Sequence, residues 1–524
     1  MFKNIFSIKV CSHFLSMLFI IISSSIIESS CTKDFKEINN DPSTLSGLTA
    51  ATIPNAFAKA EYQGIYGDPG IYQLARNLFV DLWSQYYAAS DGGFSTDRYV
   101  QRKDWEFYQW TSMYGSAYPT LKLVIEATEG SDPAANAIAK IWKVFIFHSM
   151  TDFFGPVPYS KAGYGDLSVP YDSQQDIYDD LLKTLDTAVN SLKSVDENQT
   201  PYGNNDLIFH GSIPKWIKFG NSLRLRLALR ISFIDPDRAK KEAEKAYSLG
   251  VMETNEDNAL MDVSSSSPNG LNILFSWGGV QMSASIFSYL KGYNDPRLSV
   301  YFSPSVADNQ FHGLRNGLSV SQLAGANPGG TGKNLSTLGP QWDPTLASTN
   351  PLAVMYSAEV YFLRAEGALN GWDMGGTAEE LYNHGITNSL QQWGITNNTI
   401  IQNYIQGTTL PAPPEDYLNS LAVSDIPVKF VTDTEKRRQQ IATQKWLALF
   451  PDGIEAWAEC RRTGYPVLYH VANSDNPDVS VNNMIRRFTF LEIEHESNSV
   501  AVSAALPLLN GPDKNSTHVW WDVK

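Results

Sequence analysis

Apolar positions recur at helical spacing along much of this chain, and they recur in neighbouring pairs. From Ala134 onward, Ile138, Ile141, Trp142, Phe145 and Ile146 keep the i, i+3, i+4 interval and predict one apolar stripe on a helix of about four turns. Ser173 and Asp176 are spaced as a capping box, and Ile177, Leu181, Leu185, Val189 and Leu192 then define the next helix. The run Leu223-Arg224-Leu225-Arg226-Leu227-Ala228-Leu229-Arg230 alternates like a strand. Its residues are nevertheless helix formers and none is β-branched, so a helix apolar on more than one side, sandwiched between neighbours, is expected. Met355, Ala358, Phe362, Ala365 and Leu369 form another stripe. The Gly371–Gly376 turn separates it from a helix carrying Ala378, Leu381, Ile386 and Leu390, which makes a helical hairpin. Between about 255 and 350 the texture changes to Ser264–Ser267, Gly278-Gly279, Gly325, Gly329-Gly330 and several prolines, without a sustained period. The prediction is a mainly α helical scaffold carrying a large loop-rich insertion, with the binding surface where the two meet.

The amino-terminal pattern speaks to location. Lys3 and Lys9 precede an apolar stretch from Phe14 to Ile27, followed by Ser29, Ser30 and Cys31. The uncharged run is short for a permanent transmembrane helix and contains four serines, so residues 1–30 are expected to be a cleaved signal peptide. Cys31 is then the expected lipidation site. Acyl chains on it, at about 0.8 kcal/mol per buried methylene, would anchor the protein to a membrane without spanning it. Glu28 stands where a lipoprotein signal usually has leucine, which leaves a plain secretory signal as the alternative. Residues 31–46 are polar and without period, the composition of a tether, and 47–524 reads as a single domain.

Composition narrows the function classes. The 524 residues are 43% hydrophobic and 18% charged, an ordinary globular balance with enough apolar mass for a large core. A formal net charge of −15 without a basic stripe argues against nucleic acid as a partner. Of the three cysteines, Cys11 falls in the signal and Cys31 is assigned to lipid. That leaves Cys460, so neither an intramolecular disulfide nor a cysteine-type zinc site is expected in the mature chain. No Gly-x-Ser-x-Gly elbow, His-Glu-x-x-His, phosphate loop or Cys-x-x-Cys occurs, and neither a metal nor another cofactor is implied.

Several ordered stretches carry a resemblance. They are Thr151-Asp152-Phe153-Phe154-Gly155-Pro156-Val157-Pro158-Tyr159-Ser160, Tyr171 to Tyr178, Lys215-Trp216-Ile217-Lys218-Phe219 with Asn221-Ser222-Leu223, and Glu359 to Glu366. Gln444 to Phe450, Glu455 to Glu459, and Arg461 to Pro466 follow, and the matches run on to Trp520-Trp521-Asp522. Together they resemble the SusD/RagB family of outer-membrane nutrient-binding lipoproteins, in its second, SusD-like branch. Phe488-Thr489-Phe490-Leu491-Glu492 departs from it, because a proline-containing stretch is usual there. The resemblance implies a solenoid of tetratricopeptide-type helix pairs with loops packed on it, an outer-membrane, cell-surface location, and a SusC-type TonB-dependent transporter as partner.

Most of these motifs read as scaffold. Phe450-Pro451-Asp452-Gly453 is a tight turn flanked by Trp446 and Trp457, and Arg461 and Arg462 occupy a last helical turn before Gly464. Glu359 and Glu366 lie on one helix face and could in principle serve as acid and base, but scaffold hydrogen bonding is the simpler role. His148 and Asp152, four apart, lack a third metal ligand, so a capped helix end is preferred.

A sugar ligand calls for exposed aromatic faces beside amides or carboxylates. Two segments supply both. Trp83 to Tyr99 lies where the resembled family places a ligand-contacting loop, and Asn272 to Gln281 contains Trp277, with Trp342 beyond it. Tyr87, Asp91, Tyr99 and Trp277 are the candidate ligand-binding residues. The expected activity is oligosaccharide capture and delivery to the transporter. A peptide cargo, an all-helical glycoside hydrolase and a purely structural surface protein are the alternatives.

Overall fold

The 22-residue helix Pro133–Phe154 carries the first predicted stripe and continues it, with Asp132 accepting the Ala135 N–H as its cap and Gly155, at φ 80°, ending it. In the computed structural model, which describes residues 48–164, 166 and 168–524, this helix packs against Gln174–Lys193. The signal peptide, Cys31 and the tether lie outside the described residues. Ser173 caps Gln174–Lys193 through the Asp176 N–H, while the Asp176 carboxylate turns to the Ser173 hydroxyl. From there the stacking continues through Ile213–Arg230 with Pro236–Ser248, then Ser357–Leu369 with Ala378–Gln392, and finally Thr434–Leu449 with Gly453–Thr463. Each pair covers the apolar stripe of the one before, which is how a solenoid builds its core.

Ile213–Arg230 explains the alternating leucines and arginines. Leu223, Leu225, Leu227 and Leu229 are fully buried, and Arg224, Arg226 and Arg230 are almost equally so. The arginines do not line a strand face. They reach carboxylates on every neighbouring helix. Arg224 meets Asp186 and Glu242, and Arg226 clasps Glu359 through two hydrogen bonds of 2.7 and 2.6 Å. Arg230 contacts Asp152, Glu455 and Glu459. Arg462 closes the network on Glu366 and Glu459, and Lys445 lies 3.2 Å from Glu459. Glu359 and Glu366 are therefore ion-pair partners inside the scaffold. His148 donates its Nδ1–H to the Phe145 carbonyl instead of pairing with Asp152, and burial, reinforced by Arg226, depresses it to about 3, leaving it neutral. Asp152 is held by Tyr178 and Trp521 as well as Arg230.

The first described helix, Ile53–Gly64, packs on Tyr118–Thr128. An aromatic cluster of Phe79, Trp83, Phe153, Trp457 and Phe488 ties that part to the carboxy-terminal motifs. The unusual Phe488 is thus a core residue. Met355, read from sequence as the start of a helical stripe, instead ends strand β6 (Leu352–Met355), since the Ser357–Leu369 helix begins after Tyr356.

The stretch 255–350 is less irregular than its composition suggests. It holds the helices Gly270–Trp277, Ala284–Gly292 and Val320–Ala326, and it supplies strands to small antiparallel ladders. Strand β1 (Tyr87–Ala89) pairs with β3 (Val280–Met282), β2 (Ala259–Met261) with β6, and β4 (Phe302–Ser303) with β5 (Thr337–Leu338). These segments are too short to show a hydrophobic period.

Buried carboxyls give the fold a pH signature. Burial pushes Asp81 and Asp97 up to about 6 and Glu106 up to about 7. The unfolded chain releases these protons near about pH 4, so the folded chain binds more protons between about pH 4 and 7, and stability falls as pH rises through that window. Glu459 acts in the opposite sense. Burial works to raise it, but Arg462, Lys445 and Arg230 together hold it far below the usual carboxylate range. Its contribution is present above its unfolded value and is lost as pH falls. Calorimetric melting is expected to peak near about pH 5 and decline toward about pH 8, with Glu106→Gln flattening the decline. A melting temperature that climbs steadily over the same range would refute this.

Candidate ligand-binding groove

The β1–β3 ladder brings the two candidate segments together. Tyr87 lies opposite Met282, Ala88 opposite Gln281 and Ala89 opposite Val280, and the Ser90 N–H continues the pairing to the Gly279 carbonyl at 2.9 Å. Strand β1 is itself pinned to the carboxy-terminal region. Tyr86 donates to the Trp446 carbonyl, the Trp446 indole donates to the Ser84 carbonyl at 3.0 Å, and the Gln85 amide donates to the Tyr469 carbonyl at 2.6 Å. Asp97 collects the Ala89 and Gly317 N–H groups and the Asn316 amide, fixing the loop after β1.

Trp277 ends the Gly270–Trp277 helix. Asn269 caps that helix, and Asn272 locks it by donating to the Gln341 and Asp343 carbonyls at 3.0 and 2.8 Å. Gly278 and Gly279, at φ 69° and 85°, turn the chain into β3. A Cβ on Gly279 would lie 2.5 Å from the Phe94 ring, so the close approach of the two segments requires glycine there. The result is an indole left 51% exposed above a groove of about 760 Å³. Asp91, Phe94 and Gln281 line it on the ladder side, and Val320, Asn327 and Thr331 on the other. Asn327 holds that far wall by donating to Ser90 O and accepting the Gly332 N–H.

The lining contains no lysine or arginine, and Asp91 is its one charged side chain. Such a wall disfavours anionic ligands and suits a neutral molecule with an apolar face and a polar rim. Gln281 is only 8% exposed, and its Oε1 is buried without a hydrogen-bond partner among the described residues. Gln281→Leu is therefore expected to leave the melting temperature equal or higher, because it removes an unsatisfied buried oxygen. Calorimetric melting checks this, and a large loss of stability would show that the amide is held by its surroundings.

Of the four candidates, Asp91 and Trp277 meet on this groove. Tyr87 and Tyr99 do not. Tyr87 is buried to 1% exposure, edge-on to Phe450 and Phe302, because β1 is covered on both faces. Tyr99 is also buried, at left-handed φ 68°, with its carbonyl held by the Asn476 amide. Neither ring presents a face to a ligand in this structure. Trp342 is likewise internal, against Trp393 and Phe450. The far wall, Val320 to Gly332, was not legible as binding residues, and its cluster of glycines was the available signal.

Among the described residues no group of His, Cys, Asp and Glu is placed to hold a metal, and no helix is long and apolar enough to cross a membrane. The lone described cysteine, Cys460, is buried.

Comparison with solved structures gives close likenesses. A chitin-binding SusD homologue from Flavobacterium johnsoniae is 36% identical with a TM-score of 0.83, covering 90% of this chain and 99% of its own. A SusD homologue from Bacteroides uniformis is 33% identical with a TM-score of 0.83, covering 91% of this chain and 100% of its own. One from Bacteroides thetaiotaomicron is 30% identical with a TM-score of 0.81, covering 90% and 99%. Comparison with curated proteins finds no match. Residues 33–522 match the family described as SusD-like, the SusD and RagB outer membrane lipoproteins. Paired helices in a mainly α, tetratricopeptide-containing fold, the ordered motifs and a match spanning nearly the whole sequence lead to one conclusion: this chain belongs to the SusD-like family.

Proposed function

We propose that this protein is a non-catalytic cell-surface receptor that captures a neutral oligosaccharide in the Asp91–Trp277 groove and passes it to a SusC-type TonB-dependent transporter. The observation that carries the reading is the half-exposed Trp277 indole across from the Asp91 carboxylate, in a groove without basic side chains. An indole face takes the C–H face of a pyranose, and a carboxylate accepts from its hydroxyl groups. The chitin-binding activity named for the Flavobacterium johnsoniae homologue supports N-acetylglucosamine oligomers as the first ligand to try. Lipidation of Cys31 would hold the receptor at the outer membrane, where the transporter resides.

Isothermal titration with chitooligosaccharides, maltooligosaccharides and a peptide library tests the cargo. Saturable binding of one glycan series is expected. Binding confined to peptides would replace the cargo while keeping the receptor, and cleavage of any glycan by the purified protein would overturn the non-catalytic reading. Copurification of a TonB-dependent transporter with the tagged protein, extracted from membranes, tests the partner.

A further inference from the structure

The two walls of the groove are tied together at one buried carboxylate. The near wall leaves strand β1 at Ala89 and runs on through Ser90, Asp91 and Phe94, while the far wall begins at Val320, shortly after Gly317. Asp97 bonds to both sides. Its Oδ2 accepts the Ala89 N–H at 3.3 Å and the Gly317 N–H at 2.8 Å, and its Oδ1 accepts the Asn316 amide at 2.6 Å. Gly317 is not free to follow β1, because the Asn473 backbone and side-chain N–H groups hold its carbonyl at 2.9 and 2.8 Å. The other links between the walls are weaker or without direction. Asn327 donates to the Ser90 carbonyl at 3.3 Å, and Ala88, Leu318 and Leu323 share a small apolar cluster, whose packing is non-directional. Spacing matters because the walls approach closely: a Cβ on Gly92 would lie 3.0 Å from the Val320 side chain.

Every one of these partners of Asp97 is a donor. Two are backbone N–H groups, and the Asn316 amide nitrogen also serves the Tyr87 carbonyl at 2.8 Å, so that side chain keeps its donor turned toward Asp97. A protonated Asp97 brings a hydrogen that none of the three accepts, and the set of bonds cannot survive intact. Arg98, beside it in sequence, turns to Asp475 at 2.6 Å, and burial keeps the Tyr99 phenol protonated and neutral. Burial, opposed by the three donors and by Arg98, pushes Asp97 up to about 6. The carboxylate is therefore present at neutral pH and is lost as pH falls through that value. Asp81 and Glu106 are raised into the same range, but they bond to Asn77 and Gln101, outside both walls.

We propose that Asp97 is a positioning residue for ligand capture, which as a carboxylate sets the spacing of the groove walls and on protonation lets them shift and release the glycan. The inference rests on the groove being the glycan site. Titration of the N-acetylglucosamine hexamer and of maltohexaose at about pH 7.5 and about pH 5, with melting recorded on the same samples, tests it. Wild-type affinity is expected to fall at least about fivefold at the lower pH while the melting temperature rises, whereas a merely structural role would move the two together. Asp97→Asn, a neutral amide of the same volume, should bind at the higher pH as weakly as the wild type does at the lower, and change less than about twofold between them. If that variant folds poorly, the wild-type profile and Asn316→Ser, which removes one donor and should weaken binding at the higher pH, carry the test. Wild-type affinity that is flat or rises on acidification, or a pH dependence that survives in Asp97→Asn, overturns the proposal and leaves the receptor reading standing. Binding of neither glycan at either pH removes the glycan reading, and the proposal falls with it.

Discussion

Arg462→Met is expected to lower the unfolding free energy by about 3–5 kcal/mol, a large effect for a substitution far from the groove. Arg462 is fully buried and makes bidentate contacts to Glu366, at 2.7 and 2.6 Å, and to Glu459, at 2.9 and 2.8 Å. Methionine fills much of the volume but strands the Glu366 carboxylate away from water and leaves Glu459 to Arg230 and Lys445, and an uncompensated buried charge is among the costliest defects available to a single mutation. Arg462→Lys should cost less, since it keeps the charge and loses the fork geometry. Denaturant unfolding followed by tryptophan fluorescence measures the difference. A loss for Arg462→Met within about 1 kcal/mol of zero would show that the network relaxes around the hole, and the scaffold role argued for Glu366 and Glu459 would fail.

Trp277→Ala is expected to reduce oligosaccharide affinity at least tenfold, about 1.4 kcal/mol or more, while leaving the melting temperature almost unchanged. The two halves have one cause. Trp277 is 51% exposed at a helix end, so its removal opens no cavity in the core, yet it is the largest apolar surface on the groove. Trp277→Phe should recover part of the affinity, since a smaller ring still presents a face. Titration of the three proteins with the same glycan decides it. Unchanged affinity in Trp277→Ala would move the binding surface away from this groove altogether.

The helical scaffold was legible because its stripes are long. Ile138 to Ile146 and Ile177 to Leu192 repeat often enough for the period to stand out. Leu223 to Arg230 shows the limit of pattern alone, since its alternation reflects arginines serving carboxylates on surrounding helices and only residue propensity indicated a helix. At the groove, composition found the right segments but could not orient their rings. Tyr87 and Trp277 are both large aromatics in loop-rich sequence. What separates them is that β1 is covered from two sides while Gly278-Gly279 swings the indole outward, a tertiary fact. Gln281 was within the segment named from sequence, but an amide gives no sign of lacking a partner until the fold supplies its surroundings.

The pins that hold β1 come from Trp446 and Tyr469, more than 350 residues further along the chain. A polypeptide still emerging from the ribosome, or clipped before those residues, owns every side chain of the groove and yet has no floor to mount them on. Groove assembly therefore waits until the last quarter of the sequence has docked, and a chain truncated before Trp446 would lack the groove's support even though it carries all of the lining.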